Sequence, residues 1–465
     1  MANKIKVALI KPPRTYADYN RVPALGIGYI SACLKQKGVD CKIFDAHFND
    51  WSQKETIVRV LEYHPDVVGF TAMTHEIVQA AKMASQLKER LNTPAIVGGC
   101  HTTALPERTL KEFSVFDYGV YGEGEKTMPE LVEFLQHGGT SPVSDIPGVV
   151  FRDAQGNIHV NRPREVLTPA ELDRLPYPDL KDYYSGPQAL AGKNACYSVF
   201  TSRGCPYNCV FCMQVLGRKI RRRSKENVIQ EIEYAISHYD AHTFDFSDDI
   251  FLFNNRETRQ LLQLMIDNSL PERMRWVALV RADLVNQELI DLAKRAGCYR
   301  LEMGVESGDN AILKAINKGI TVEQVKNAVK IIKGSGISLG TYFILGHPNE
   351  TIETLKKTVH LAGELNTDSI AVGLMVPYPG TRIYEMAKRG KGSYRLVSED
   401  WSEYDKYGGK ALEVGKLTFE ELSSWQRKTF IYFYLKNFRL LDILRFIVQY
   451  RRGISFMIKK FFTRR

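Results

Sequence analysis

Apolar and polar positions in the first 140 residues follow two alternating rhythms. Short apolar runs at Ile5–Ile10, Cys41–Phe44, Val67–Thr71, Ala95–Val97 and Tyr118–Tyr121 have the length and composition of strands. Between them, Gly26–Lys37, Thr56–Tyr63, Glu76–Leu91, Leu105–Phe113 and Lys126–His137 space their apolar residues as amphipathic helices do. Strand alternating with helix predicts a doubly wound, five-stranded parallel α/β domain over residues 1–140, with ligands at the carboxyl ends of its strands. Residues 141–195 lose the periodicity and are rich in proline. They read as a linker with a small β element, a hairpin of Val149–Arg152 and Ile158–Val160 turning at Asp153–Asn157. Residues 196–389 resume the alternation, with strands at Ser198–Thr201, Thr243–Ser247, Arg275–Leu279, Arg300–Gly304, Ser338–Ile344 and Ser369–Val376. Six such units without a seventh and eighth predict a partial (β/α)6 barrel. Residues 390–465 leave the alternation, and from Thr418 they read as helix.

Charge changes this picture at one end. The net charge is +10, yet Trp425–Arg465 holds eleven Lys and Arg against the single acid Asp442, which leaves 52 basic and 52 acidic residues for the rest. A basic tail interleaved with aromatic residues suits peripheral contact with an anionic membrane. Docking on the barrel and an RNA-contacting arm are competing readings, with nucleic acid the least favoured. The stretch Val7–Ile10 is far shorter than a signal-peptide core, and no run approaches the ~18 apolar residues of a membrane span. Eight cysteines in 465 residues are too few for a disulfide scaffold. The expectation is a cytoplasmic protein, with the tail as its contact to the inner face of the cytoplasmic membrane.

The segment TSRGCPYNCVFC, starting at Thr201, sets Cys205, Cys209 and Cys212 at C-x3-C-x2-C spacing behind the first strand of the second series. Three soft thiolates on a four-iron four-sulfur cluster leave one iron open to a chelating small molecule. A zinc knuckle needs a fourth ligand, and no second Cys/His pair follows at the expected distance. The motif, with Phe211 before its last cysteine, resembles the radical S-adenosylmethionine enzymes. That resemblance implies a 4Fe-4S cluster whose open iron holds S-adenosylmethionine and cleaves it to a 5′-deoxyadenosyl radical.

Other candidates stand just after strands, where parallel barrels assemble their sites. Asp248 and Asp249 end the second strand, as partners for a bound ammonium or as helix-capping acids. Arg281 ends the third, as a clamp for a carboxylate or as a salt bridge. Glu302, Glu306 and Ser307 follow on the fourth strand, where the resemblance implies contacts to ribose hydroxyls, and Gly346 in GTYFILGHPNET lies where it implies an adenine neighbour.

In the first domain the phrases GIGYIS, VGFTAMTHE, IVGGCHTTALPE and YGEGEKTMPELV resemble the Rossmann-like cobalamin-binding domain that precedes the TIM-like radical barrel in cobalamin-dependent members of the family. Gly98 and Gly99 leave room for a planar or nucleotide group, and Thr71 and Thr74 offer hydroxyls. Gly122 and Glu123 join the set by resemblance. Tight strand-to-helix turns are the alternative reason for each glycine. Many such domains carry D-x-H-x-x-G after the first strand, but this chain reads KPPRTYADYN. His47 follows the second strand and is read as a local polar residue, so cobalamin is expected without a histidine beneath the cobalt. The resemblance implies C-methylation of an unactivated carbon in a small-molecule or lipid substrate, with an electron donor such as flavodoxin or ferredoxin. A cobalamin-assisted oxidative cyclase or rearrangement enzyme, and a non-catalytic cobalamin sensor or carrier, are the alternatives.

Overall fold

The computed structural model describes residues 4–13, 22–137, 142–183 and 196–439. These form two compact units. The first holds the described residues up to Pro206 together with Met213–Asp249, and the second holds Tyr207–Cys212 together with those from Ile250 onward.

In the first unit, strands β1 (Lys6–Lys11), β2 (Asp40–Asp45), β3 (Val67–Thr71), β4 (Ala95–Gly98) and β5 (Tyr118–Val120) run parallel in the order β2-β1-β3-β4-β5. The apolar runs are continuous because both faces are covered: Val7, Ala8, Leu9 and Ile10 are all buried. This order reverses direction between β1 and β3, the switch point at which doubly wound sheets open a ligand crevice. The hairpin β6 (Val149–Arg152) and β7 (Ile158–Val160) is where the sequence places it, but it is more than a linker element. β6 pairs antiparallel with β5, so the sheet has seven strands rather than five. Val149 and Val150 are fully buried and cover the apolar edge that β5 would otherwise expose.

The barrel series begins in this unit. β8 (Cys196–Val199) is followed by the short antiparallel ladder of β9 (Ser202–Arg203) with β10 (Arg221–Arg222), and β8 pairs parallel with β11 (Thr243–Phe246). In the second unit β12 (Arg275–Val280), β13 (Cys298–Glu306), β14 (Ser338–Leu345) and β15 (Ser369–Leu374) run parallel with neighbours in chain order. Period-two alternation along β13 buries Leu301, Met303 and Val305 on one face and leaves Arg300, Glu302 and Gly304 on the other. β8, β11 and β12 to β15, each followed in sequence by a helix, are the six units of the (β/α)6 series. Beyond it, β16 (Tyr394–Leu396) and β17 (Leu412–Val414) form a small antiparallel pair that the sequence reading missed. A helix over Phe419–Lys436 starts at a Thr418/Glu421 capping box and buries Leu422, Gln426, Thr429 and Phe433. Its other side exposes Ile431 and Leu435, and Phe438 beyond its end is 90% exposed. The basic tail beyond residue 439 lies outside the described residues. Among the described residues no helix is long and apolar enough to cross a membrane.

Candidate functional site

At the carboxyl end of the first sheet a cavity of about 380 Å³ is bounded by Leu9 of β1, Gly69 and Thr71 of β3, Ile96, Gly98 and Gly99 after β4, and Gly122 and Glu123 after β5. Phe200, Ser202 and Arg203 are also part of its wall. This volume falls in the range of small-ligand pockets. Gly99 has φ +96° and a Cβ there would come within 2.8 Å of the Ala72 carbonyl oxygen and 2.9 Å of Thr71 Oγ1, so its turn demands glycine for backbone reasons as well. Thr74 is buried, 3.4 Å from Nδ1 of the buried His101. Burial pushes the His101 imidazole down to about 4, which keeps it neutral.

The end of β1 carries Lys11 where a cobalt-binding motif would begin. Its ammonium donates to both oxygens of Glu76, at 2.8 and 2.6 Å. His47 sits in a helical turn capped by Asp45, whose carboxylate accepts from Phe48 N and Ala24 N.

Glu123 does not project freely into the cavity. Its Oε1 accepts from Arg203 Nη1 at 2.8 Å and Arg221 Nη1 at 3.0 Å, and its Oε2 accepts from Leu167 N at 2.6 Å. Burial raises the carboxyl's pKa, and these two guanidiniums outweigh it and hold the group below the usual range.

Asp248 is fully buried and holds the chain entering the cysteine loop. Its oxygens accept from Thr201 N (3.0 Å), Thr201 Oγ1 (2.9 Å), Ser202 N (2.5 Å) and Ser202 Oγ (2.6 Å). Burial lifts its pKa to about 6 against these bonds. Asp249 beside it is exposed and accepts a bond from the Gly204 backbone.

Cys205 follows Gly204, which has φ +97°, and its N–H bonds the Gly217 carbonyl. In the second unit the segment carrying Cys209 and Cys212 is tied by Cys212 N to Cys209 O, Val210 N to Ile316 O and Asn317 Nδ2 to Asn208 O. None of the three cysteines forms a disulfide, and Cys212 is exposed. Among the described residues no three His, Cys, Asp or Glu side chains are gathered around a common point. Three thiols on loop segments are the soft donor set that a cluster with one open iron requires.

Phe211 lies 5.8 Å from Lys318 Nζ and 6.3 Å, ring to ring, from His347. Lys318 pairs with Glu306 Oε1 at 2.6 Å, and both are buried. Glu306 itself takes φ +69°, a left-handed conformation uncommon for a glutamate. Arg281 grips Asp283 with Nε at 3.0 Å and Nη2 at 3.2 Å, donates to the Lys318 carbonyl at 2.7 Å and stacks 3.5 Å from the Tyr207 ring. Glu302 is paired with Arg300 Nε at 2.5 Å, and Ser307 faces Thr358 Oγ1 at 3.2 Å. Gly346, at φ +93°, donates to Glu350 Oε2 at 2.6 Å.

The structure therefore brings Thr71, Gly98, Gly99, Gly122 and Glu123 around one cavity, and Phe211, Glu306 and Arg281 around Lys318. Sequence reading missed Lys318, Arg203, Arg221, His347 and Glu350. The first three are basic residues in loops or two-residue strands, with no motif to single them out. Glu350 was legible as the acid closing GHPNE.

Residues 17–132 match the family model of the B12 binding domain, and residues 199–362 match that of the Radical SAM superfamily. An uncharacterized methyltransferase of Pyrococcus horikoshii is 32% identical over 446 residues, covering 93% of each chain. The anaerobic magnesium-protoporphyrin IX monomethyl ester cyclase of Rubrivivax gelatinosus is 29% identical over 374 residues, 78% of this chain and 66% of that one. The structure of the radical S-adenosylmethionine methyltransferase TsrM from Kitasatospora setae, with tryptophan and an S-adenosylmethionine analogue bound, superposes with a TM-score of 0.71 at 19% identity. It covers 92% of this chain and 88% of that one, a likeness of fold.

Proposed function

The chain belongs to the cobalamin-binding radical S-adenosylmethionine enzymes, and on that premise we propose that it transfers a methyl group to an unactivated carbon of a small molecule. What carries this reading is the co-linear similarity to a methyltransferase along 93% of the chain. A 4Fe-4S cluster, S-adenosylmethionine and cobalamin supply the electron, the radical and the methyl group when bound.

The residues contribute position. In this reading Cys205, Cys209 and Cys212 hold three irons and leave the fourth open. The cavity beside Thr71, Gly98, Gly99 and Gly122 would take part of cobalamin, and the end of β1, where a cobalt-binding histidine motif would begin, carries the Lys11–Glu76 pair instead. The Glu306 carboxylate, held by Lys318, would accept from the ribose hydroxyls of S-adenosylmethionine, and the Gly346 turn would neighbour its adenine. Of the two adjacent acids, the exposed Asp249 would be the one to meet the ammonium, while Asp248 secures Thr201 and Ser202. Arg281, engaged by Asp283, positions Lys318 through its carbonyl. We take residues 1–140 with the 149–160 hairpin as the cobalamin domain, 196–389 as the radical barrel and 390–465 as a helical extension.

Anaerobic incubation with methyl-deuterated S-adenosylmethionine, cell extract and reduced flavodoxin or ferredoxin tests the reading. It predicts 5′-deoxyadenosine together with a product heavier by one deuterated methyl. 5′-Deoxyadenosine with an unlabelled, dehydrogenated product would instead favour the cyclase reading, which the similarity to the Rubrivivax cyclase supports. For a lipid substrate, the supporting feature is the exposed apolar side Ile431, Leu435 and Phe438 leading into the basic tail. Salt-sensitive flotation with anionic vesicles, lost on truncation after Ser424, is the expected outcome. Equal recovery of both forms in the lipid-free fraction would refute membrane contact.

A further inference from the structure

We propose that Glu123 is a positioning residue that couples the cavity after β5 to the neck of the cysteine loop, so that a corrinoid in the cavity slows loss of the iron–sulfur cluster. The inference rests on the cofactor assignments above.

Residues 204–220, which carry all three cysteines, are closed off by a ladder of only two residues per strand, β9 with β10. An isolated two-stranded ladder is marginal in water. This one also places Arg203 directly opposite Arg221, with both side chains buried. Like charges facing each other across a ladder repel, and burial strengthens the repulsion. The pair therefore needs an anion between its two members.

Glu123 supplies it. One carboxylate bonds both guanidiniums, at 2.8 Å to Arg203 and at 3.0 and 2.9 Å to Arg221. Glu125, two residues on, takes the remaining fork of Arg203 at 2.5 Å. Arg221 completes its shell with the carbonyls of Leu167 (2.7 Å) and Leu216 (2.9 Å). Arg203 stacks 4.4 Å over Phe200. Two acids and two bases cancel, and all four side chains are at most 7% exposed. Removing one member would strand a buried charge.

The same residues form part of the cavity wall. Gly122, Glu123, Gly124 and Glu125 line it on one side and Ser202 and Arg203 on another. Gly122 has φ +77° and open space around its missing Cβ, so the segment before Glu123 carries no side chain to brace it. A group filling the cavity restricts that segment and thereby pre-orders the carboxylate that closes the neck. Ordering met once benefits both sites, which is a positive coupling. Couplings of this kind range from about 5-fold to 150-fold, and an effect of about tenfold, towards the lower end, is expected here because Glu125 also holds Arg203.

The test uses the full chain, loaded anaerobically with iron and sulfide, with and without hydroxocobalamin. Bleaching of the cluster by an iron chelator is followed by visible absorption, cobalamin retained after desalting is quantified, and thermal unfolding monitors the fold. Wild type should lose its cluster about tenfold more slowly when cobalamin is bound. Glu123→Gln should retain cobalamin but lose that protection, and Glu125→Gln, which removes one contact to Arg203, should keep part of it. If Glu123→Gln does not fold, the graded loss in Glu125→Gln decides the question. Equal protection in wild type and the variants, or none in cobalamin-loaded wild type, would overturn the coupling. Thr71→Trp, which obstructs the cavity, separates the two levels: undiminished cobalamin retention in that variant would overturn the cavity assignment itself.

Discussion

Gly304 is a residue at which the proposed S-adenosylmethionine site should be sensitive to a single methyl group. It lies two positions before Glu306 on β13, on the same face of the strand. A Cβ there would stand 2.9 Å from Lys318 Nζ and closer still to Glu306 Oε1, which are the two atoms of the 2.6 Å ion pair. Ordinary contact begins near 3.4 Å, so in Gly304→Ala the pair must retreat by about half an ångström or more. Glu306 has little freedom to do so, because its backbone is left-handed and its carbonyl lies 3.3 Å from His347 Nε2. Overpacking of this kind costs about 1–3 kcal/mol. Complete removal of one partner from a buried pair costs about 3–5 kcal/mol, an upper bound here because both charges remain. At 1.4 kcal/mol per factor of ten, S-adenosylmethionine should bind cluster-loaded Gly304→Ala about tenfold to a hundredfold more weakly. Equilibrium dialysis with labelled S-adenosylmethionine measures this, and Lys318→Met alone and combined with Gly304→Ala completes a double-mutant cycle. The two substitutions should be strongly non-additive, since the methyl group acts through the ammonium it displaces. If Gly304→Ala lowers the unfolding midpoint but binds within twofold of wild type, the pair serves stability and the ribose assignment fails.

Alanine at Cys205, Cys209 or Cys212 should abolish cluster incorporation and 5′-deoxyadenosine formation, whereas alanine at the buried Cys298 or at Cys196 should leave iron content unchanged; iron analysis with electron paramagnetic resonance decides both. His47→Ala should retain cobalamin, and the cob(II)alamin spectrum of wild type should lack nitrogen splitting from a protein imidazole. His101 adds a pH dependence. Its imidazole is held at about 4 by burial against 6.5 when unfolded, so the unfolded chain binds the extra proton first and stability falls as pH drops from 6.5 towards 4. The full loss is about 3 kcal/mol, and denaturant titration of His101→Gln should show a correspondingly flatter profile between those pH values. Asp248 has the opposite sign. With its pKa raised from 3.8 to about 6, it makes the native state less stable as pH rises through that window, by about 3 kcal/mol, and Asp248→Asn should remove the slope.

What was legible in the sequence and what was not divide along a physical line. Strand and helix positions could be read because apolar periodicity is a local property: Val67–Thr71 and both hairpin strands fall where the pattern puts them. The pairing of β6 with β5 could not be read in the same way, since it depends on which edge remains uncovered once the sheet has formed. The cysteine motif was legible because its spacing is itself the chemistry. Single polar residues were identified as strand-end candidates, but their partners come from distant segments. Arg281 makes the salt bridge that was its alternative reading, and the partner is Asp283 two residues on. Glu123 was singled out from the YGEGE phrase, and the arginines that engage it lie 80 and 98 residues further on. Asp248 shows the same thing: four donors from Thr201 and Ser202 occupy the acid that looked free for a ligand. Glu123, Asp248 and Arg281 are each engaged by partners within the chain. Loss of function at Glu123, Asp248 or Arg281 should therefore appear first as altered cofactor retention and only then as a slower chemical step.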